Sequence, residues 1–289
     1  MSTAYRYGRQ YDDLAVLPFC EYAEHVIFST YGDAVSVDAK NKQLSKFGQN
    51  LAVGTTYETV AELQSTESNE TFVTTNIIDS IVSSSSSDTT QTIAIEGHTV
   101  DVSGNMTFVT QDAVLTGQTE VTLTTPMARA NRAFVKPTGT FGSTPAALVG
   151  NVSIYDNTGG VSAGGVPTVA SATKLIISAG EAQTAKAATT ISKNDYWLIT
   201  YFSAGIGNAG GNAARVTVRM ETRDIVNGGA WRPMSAEIVL VVGQNEQFIT
   251  FPTPLIVPKN HDWRIVAKAN SNTAEIFAQA GGVLALLIE

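Results

Sequence analysis

The stretch that most limits what this chain can fold into is 196–223, YWLITYFSAGIGNAGGNAARVTVRMETR. It opens with the bulky apolar run Trp197 to Phe202 and passes through the glycine-rich segment Gly205 to Gly211. It leaves as an alternation in which Ala214, Val216, Val218 and Met220 face one way, and Arg215, Thr217, Arg219 and Glu221 the other. Period two is the signature of a strand with one buried face. The segment Gly205-Ile206-Gly207-Asn208-Ala209-Gly210 also spells G-x-G-x-x-G. That motif holds a dinucleotide only where a helix follows, because the helix N-terminus carries the pyrophosphate. Here β-branched residues at period two follow, and no βαβ unit brings an acidic residue about 20 positions on. The segment therefore reads as the glycine-rich loop of a hairpin, and no cofactor is expected.

Composition points the same way. Of 289 residues, 43% are hydrophobic, enough to fill a core, and only 15% are charged, well below the usual quarter. Thr, Val, Ser, Gly and Asn make up the difference, which favours sheet over helix. The net charge of −8 argues against direct nucleic-acid binding, which needs clustered Lys and Arg, and against an anionic membrane surface. The single cysteine, Cys20, allows no intrachain disulfide and reads as a buried structural thiol. The N-terminal sequence MSTAYRYGRQYDDL has no apolar leader. No run reaches the roughly 18 apolar residues of a membrane helix.

Residues 1–50 stand apart as an N-terminal arm. They hold Tyr5, Tyr7, Tyr11, Tyr22 and Tyr31, five of the nine tyrosines, with Arg6 and Arg9 interleaved. Aromatics beside arginine are typical of contact surfaces, so Tyr5, Arg6, Tyr7, Arg9 and Tyr11 are candidate anchor residues; an arm packed on its own domain is the alternative. The polar segment 33–49 reads as loop or arm. From Leu51 onward, short strand candidates recur at roughly ten-residue spacing with turn signals between them, the pattern of a sandwich or barrel. The serine run Ser83 to Ser87 reads as a hairpin connection. The segment 156–166, DNTGGVSAGGV, is the best linker. Beyond it, about eight or nine strand candidates fit a two-sheet jelly roll; the last of them, Val283 to Ile288, is apolar throughout and must sit inside a sheet or an interface. The expected organisation is all-β: an arm at 1–50, a β-sandwich at 51–166 and a jelly roll at 167–289.

No catalytic constellation emerges. His25, His98 and His261 have no second His or Cys at metal spacing, and His98 and His261 read as solvated turn residues. There is no G-x-S-x-G elbow and no phosphate-binding P-loop. Asp88, Asp156 and Asp224 sit at turn signals without forming a calcium loop and read as solvated acids. Trp231 and Trp263 are candidate glycan contacts, since carbohydrate platforms use exposed aromatics; core or rim packing is the plainer role of a tryptophan.

The segments Ile81 to Thr89, Ile93 to Gly97, Val121 to Thr124 and Arg129 to Val135, and Ile177 to Gln183 after the glycine-rich stretch, resemble a type of virion structural protein of tailed bacteriophages. The likeness covers about residues 75–289 and leaves out the arm. It implies a capsid decoration or cement, head-fibre or tail-fibre protein, made in the host cytoplasm and carried in the virion, and it brings no catalytic residue. The expectation is a non-enzymatic homo-oligomer, a trimer by preference, bound to other virion proteins such as the major capsid or tail protein. The alternative is a carbohydrate- or receptor-binding module at a fibre tip.

Overall fold

The computed structural model describes residues 27, 30, 32–37, 43–64, 67, 69–137, 147–209, 215–234, 237–241 and 246–287. The fold is all-β. Its eighteen described strands form four antiparallel sheets, which face each other in two pairs.

One pair makes a jelly roll. Its first sheet contains β1 (Val35–Val37), β2 (Gln43–Val53), β12 (Asp195–Ala209), β16 (Glu246–Val257) and β18 (Ala274–Leu287). β12 pairs with both β16 and β18, and β18 pairs in turn with β2 and β1. The second sheet contains β3 (Glu58–Thr59), β11 (Ala188–Thr190), β13 (Arg215–Asp224), β14 (Arg232–Pro233), β15 (Ile238–Val241) and β17 (His261–Ala269). Here β17 lies between β13 and the short strands β3 and β11. Successive strands thus step from sheet to sheet, giving orders 2-18-12-16 and 3/11-17-13-15, the double Greek key of a jelly roll. The core between the sheets includes Trp197, Phe202, Val216, Val218, Met220, Trp263 and Ile265.

The other pair is a smaller sandwich. The sheet β10 (Thr173–Ile177), β9 (Val152–Asp156), β4 (Ile78–Ser83), β7 (Val121–Met127) faces the sheet β6 (Met106–Val114), β5 (Thr92–Val100), β8 (Arg129–Val135). Ile78, Ile93, Ile95, Leu123, Ile154 and Leu175 fill its core. This sandwich is inserted into the jelly roll. The chain leaves after β3 and returns at β11, and both strands pair with β17. The base of the insertion is closed by the Ala187 N–H donating to the Val60 carbonyl at 2.9 Å.

Several sequence expectations are redrawn. The pairings cut across the boundaries at 50/51 and 166/167: β1 and β2 fall within the expected arm yet pair with β18, and β10 lies beyond the expected linker yet pairs with β9. The segment 33–49 hid β2 because its inward positions carry Lys46 and Gly48 instead of large apolar side chains. The glycine-rich segment after Phe202 does not close a hairpin. β12 and β13 lie in different sheets, because each has an apolar face and both faces enter the same core. The serine run likewise crosses between sheets, from β4 to β5. It is organised by Asp88, a fully buried acid rather than a solvated one, which accepts from Ser83 Oγ (2.6 Å) and from the Val149 and Gly150 N–H groups (both 2.9 Å). The last strand, β18, is central as expected, between β12 and β2.

Gly48 packs against the closing hydrogen bond of the insertion. A Cβ there would collide with Val60 O and Ala187 N, both backbone atoms that cannot swing away. Gly48→Ala is expected to destabilise the protein by at least about 2 kcal/mol, read from denaturant unfolding midpoints.

Candidate functional site

Two features stand out above the cores: a buried ionic junction between the sandwiches, and an exposed aromatic face on the jelly roll.

The junction is built on Asp262, the second residue of β17. Alternation along Asp262-Trp263-Arg264-Ile265 puts Trp263 and Ile265 into the jelly-roll core and Asp262 and Arg264 on the opposite face. Directly across the ladder from Asp262 lie Thr190 on β11 and Arg223 on β13. Thr190 Oγ1 donates to Asp262 Oδ1 at 2.6 Å, and Arg223 Nη2 donates to Oδ2 at 2.8 Å. From the inserted sandwich, Arg129 at the start of β8 adds a bidentate pair, Nε to Oδ1 and Nη2 to Oδ2, both 2.9 Å. Asp262 is 0% and Arg129 2% exposed. Burial pushes the Asp262 carboxyl up, but the Arg129 and Arg223 guanidiniums and the Thr190 hydroxyl outweigh it and hold the group below the usual carboxylate range. Beside it, Glu221 on β13 receives Arg264 Nη2 at 2.8 Å and Arg219 Nη2 at 2.7 Å. Aromatic rings layer this stack: Phe72 against Arg129 and Arg223, and Trp231 against Arg223 and Arg264 at 4.8 and 4.1 Å.

These placements revise the tryptophan expectation. Trp263 is fully buried, its ring edge-on to Trp197 at 4.7 Å, so it offers no surface to a glycan. Trp231 is half-buried and its ring is engaged by two arginines and, at 5.2 Å, by Phe72. His98 and His261 are strand residues, not turn residues. His98 on β5 is buried, with Asn131 Nδ2 at 2.9 Å from Nδ1 and Ser192 Oγ at 3.1 Å from Nε2. Burial first, then the nearby Lys46 charge, lowers its pKa to about 3, so it is neutral. With the Asn131 amide donating to Nδ1, the ring proton sits on Nε2 and points at Ser192; a ring in that state donates to the serine and takes no proton from it. His261 opens β17 and its Nδ1–H donates to the Lys259 carbonyl at 2.8 Å. Asp156 is buried as well, 3.9 Å from Lys174 Nζ, while Asp224 caps its own turn by accepting from the Asn227 N–H at 3.0 Å. Among the described residues, no cluster of His, Cys, Asp and Glu is arranged to hold a metal ion, and no helix is long and apolar enough to cross a membrane. Tyr5, Arg6, Tyr7, Arg9, Tyr11 and Cys20 lie outside the described residues.

The aromatic face lies on the outer side of the sheet containing β12 and β18. A bulge at Thr200 sets it up. Before the bulge Trp197 and Ile199 point inward, while Tyr196 and Leu198 point outward and are covered by Ile27 and Val35. After it the phase reverses: Phe202 and Ala204 point inward, and Tyr201, Ser203 and Gly205 point outward. Cross-strand partners share a face, so the outward rows are Thr250–Tyr201–Gly281–Ser45, then Phe248–Ser203–Gln279–Phe47, then Glu246–Gly205–Phe277–Gln49. Phe248 is 59%, Phe47 41% and Phe277 39% exposed. Tyr201 lies over Gly281, where a Cβ would run into its ring, and stacks on Phe248 at 5.6 Å and 18°. Its hydroxyl meets Ser45 Oγ at 3.1 Å. The sequence reading singled out none of these rings, although the period-two spacing of Phe47, Gln49 and Leu51, and of Phe277 and Gln279, carries the signal.

No family model and no curated protein matches the chain. Among solved structures, the chain is similar to a structure of infectious bursal disease virus, Gt strain, with 10% identity and a TM-score of 0.24 over 88% of this chain and 74% of the other. It is also similar to the crystal structure of the infectious bursal disease virus VP2 subviral particle, with 11% identity and a TM-score of 0.22 over 92% and 78%. Scores this low fix no residue correspondence, and the function is argued below from the residues themselves.

Asp262→Asn keeps the shape but leaves Arg129 and Arg223 buried without a counter-charge, and is expected to cost about 3–5 kcal/mol. Because the Asp262 pKa is depressed on folding, its contribution is complete above the ordinary value of 3.8 and is lost as the pH falls through the lower folded value. Urea titrations at pH 7 and near pH 3 should therefore show a large difference between the two proteins at pH 7 and a smaller one in acid.

Proposed function

We propose that this protein is a non-enzymatic structural subunit of a tailed-bacteriophage virion, a capsid decoration, cement or fibre protein that assembles with copies of itself. The observation that carries this reading is the aromatic face: Phe47, Phe248 and Phe277 stand in solvent on one sheet, around the stacked Tyr201. Exposed aromatics gathered on one surface mark an interaction site, since scattered single residues are the norm elsewhere. A flat sheet face rich in aromatics and poor in charge suits a like surface on a second copy, and closed symmetric assemblies are the commonest kind. The resemblance of residues 75–289 to virion proteins of tailed phages supports a particle component. The jelly roll supports it at the level of fold, being common to capsid and lectin domains. The arm residues Tyr5, Arg6, Tyr7, Arg9 and Tyr11 would anchor the subunit on its neighbours, with the major capsid or tail protein as partner and a trimer as the favoured assembly.

A glycan- or receptor-binding role is the second reading. It now rests on the flat Tyr201–Phe248 stack rather than on Trp231 or Trp263, because sugar rings pack on exposed aromatic faces.

Light scattering after gel filtration tests the first reading. The wild type is expected to run as a multiple of the chain mass, and Phe248→Asp combined with Phe277→Asp as a single chain, with little change in unfolding temperature because both rings are already solvated. A wild type that stays monomeric at every concentration overturns self-assembly. A glycan array on the same two proteins addresses the second reading: binding by the wild type that is lost in the double variant would favour it. Deleting residues 1–26 leaves Ile27 in its cluster and tests the arm. Loss of assembly with an unchanged unfolding transition is expected, and a truncated chain that assembles like the wild type removes the anchor.

A further inference from the structure

A cleft of about 330 Å³ opens where β2, β8 and the segment before β11 meet, lined by Lys46, Arg132 and Lys186 with Ser45, Gln183 and Thr184 among its polar walls. Two of its cations are buried, Lys46 at 7% and Lys186 at 4% exposure. Their positions follow from β8, whose register shift against β5 between Glu96 and Gly97 turns backbone carbonyls toward the cleft. Lys186 Nζ donates to Ala130 O at 2.7 Å and Lys46 Nζ to Asn131 O at 3.2 Å. Their electrostatic situations differ. Lys186 is neutralised by a direct pair with Glu70, and Arg132 has Glu96 at 3.6 Å. Lys46 has no carboxylate within ion-pair distance among the described residues. With Glu70 and Glu96 set against three cations, the cleft carries one uncompensated positive charge whenever Lys46 is protonated.

A buried ammonium without a counter-ion is strongly unfavourable unless something completes the site. We propose that this cleft binds an oxyanion, of the sulfate or phosphate kind or a carboxylate, held between Lys46, Arg132 and Lys186. The cations come from the jelly roll, the inserted sandwich and the segment joining them, so the bound anion ties the three together. Neutral donors from Thr184 and Gln183 suit the remaining oxygens.

Protonation gives the site a signature. Burial lowers the Lys46 pKa to about 7; Lys186 and Arg132 lower it further, while Glu96 and Glu70 oppose them, and His98 on the neighbouring strand is neutral. At pH 8 the empty site therefore holds mostly neutral Lys46, and an anion that raises its pKa draws in a proton. At pH 6 the amine is already charged, and binding takes up none. Sulfate is the suitable probe because its own charge does not change across this range.

The experiment is calorimetric titration of the full chain with sodium sulfate, against sodium chloride at matched ionic strength, in two buffers of different ionisation heat at pH 6 and pH 8. Saturable sulfate binding is expected, with proton uptake at pH 8 that vanishes at pH 6. Lys46→Met should weaken binding at least about tenfold, the ratio given by losing about 1.4 kcal/mol from one charge-assisted contact. Arg132→Gln, at a more exposed position, should weaken it less and serves if Lys46→Met does not fold. No binding beyond the chloride control overturns the proposal, and so does binding that both variants retain or that proceeds without proton uptake at pH 8. The solution mass with and without sulfate identifies the source of the anion. A mass that sulfate leaves unchanged means a free ion; a mass that sulfate lowers, only while Lys46 is present, means that the anion is a carboxylate from a second copy.

Discussion

A single buried carboxylate, Asp262, fixes how the two halves of this molecule meet. Taking a charge out of water has a heavy desolvation penalty, and the penalty is offset only where partners arrive with good geometry from every side. Asp262 has them: Thr190 and Arg223 from the strands on either side in its own sheet, and the bidentate Arg129 from the inserted sandwich. A small rotation of one sandwich against the other would strand Arg129 and Asp262 without each other, each nearly inaccessible to water. An apolar contact would tolerate such sliding, because hydrophobic burial has no direction. The ionic junction does not, and the Phe72 and Trp231 rings over the arginines restrict it further.

The junction lies at the point where the topology most needs it. The insertion splits one strand position of the jelly roll into β3 and β11, and both depend on β17 for their pairing. Asp262 sits on that strand, opposite β11, and next to the return of the inserted chain. Pairing, charge burial and the Ala187–Val60 hydrogen bond thus act on one short region. This makes the insertion a rigid arm of the jelly roll and not a tethered module.

What could be read from the amino acids follows from the physics of each element. The alternation at Val216, Val218 and Met220 is local, and it predicts β13 and its buried face correctly. Which strand it pairs with is not local, so a sheet-to-sheet crossing passed for a hairpin. β2 was hidden because Lys46 and Gly48 occupy inward positions, one facing the cleft and the other pressed against the closing hydrogen bond of the insertion. The Trp263 assignment had its answer in the sequence: Trp263, Ile265, Ala267 and Ala269 share one phase, and all of them enter the core. The Arg129–Asp262 pair had no such signal. The two residues are separated by 133 positions, and each is an ordinary charged residue beside an apolar one.

The bulge at Thr200 shows how one residue can give a strand two different outer surfaces. Without it the outward positions of β12 would keep the phase of Tyr196 and Leu198, and Phe202 would follow them out of the core. With it, the first half of the strand's outer side is sealed by Ile27 and Val35, and the second half presents Tyr201 beside Phe248. Gly281 completes the arrangement, since only a residue without a side chain lets the tyrosine ring lie down on β18. A surface that merely needed to be soluble would gain nothing from a flat aromatic ring laid over a glycine. The arrangement makes sense as a surface shaped for contact, and it is set by three local choices: an extra residue, a glycine and a tyrosine in register.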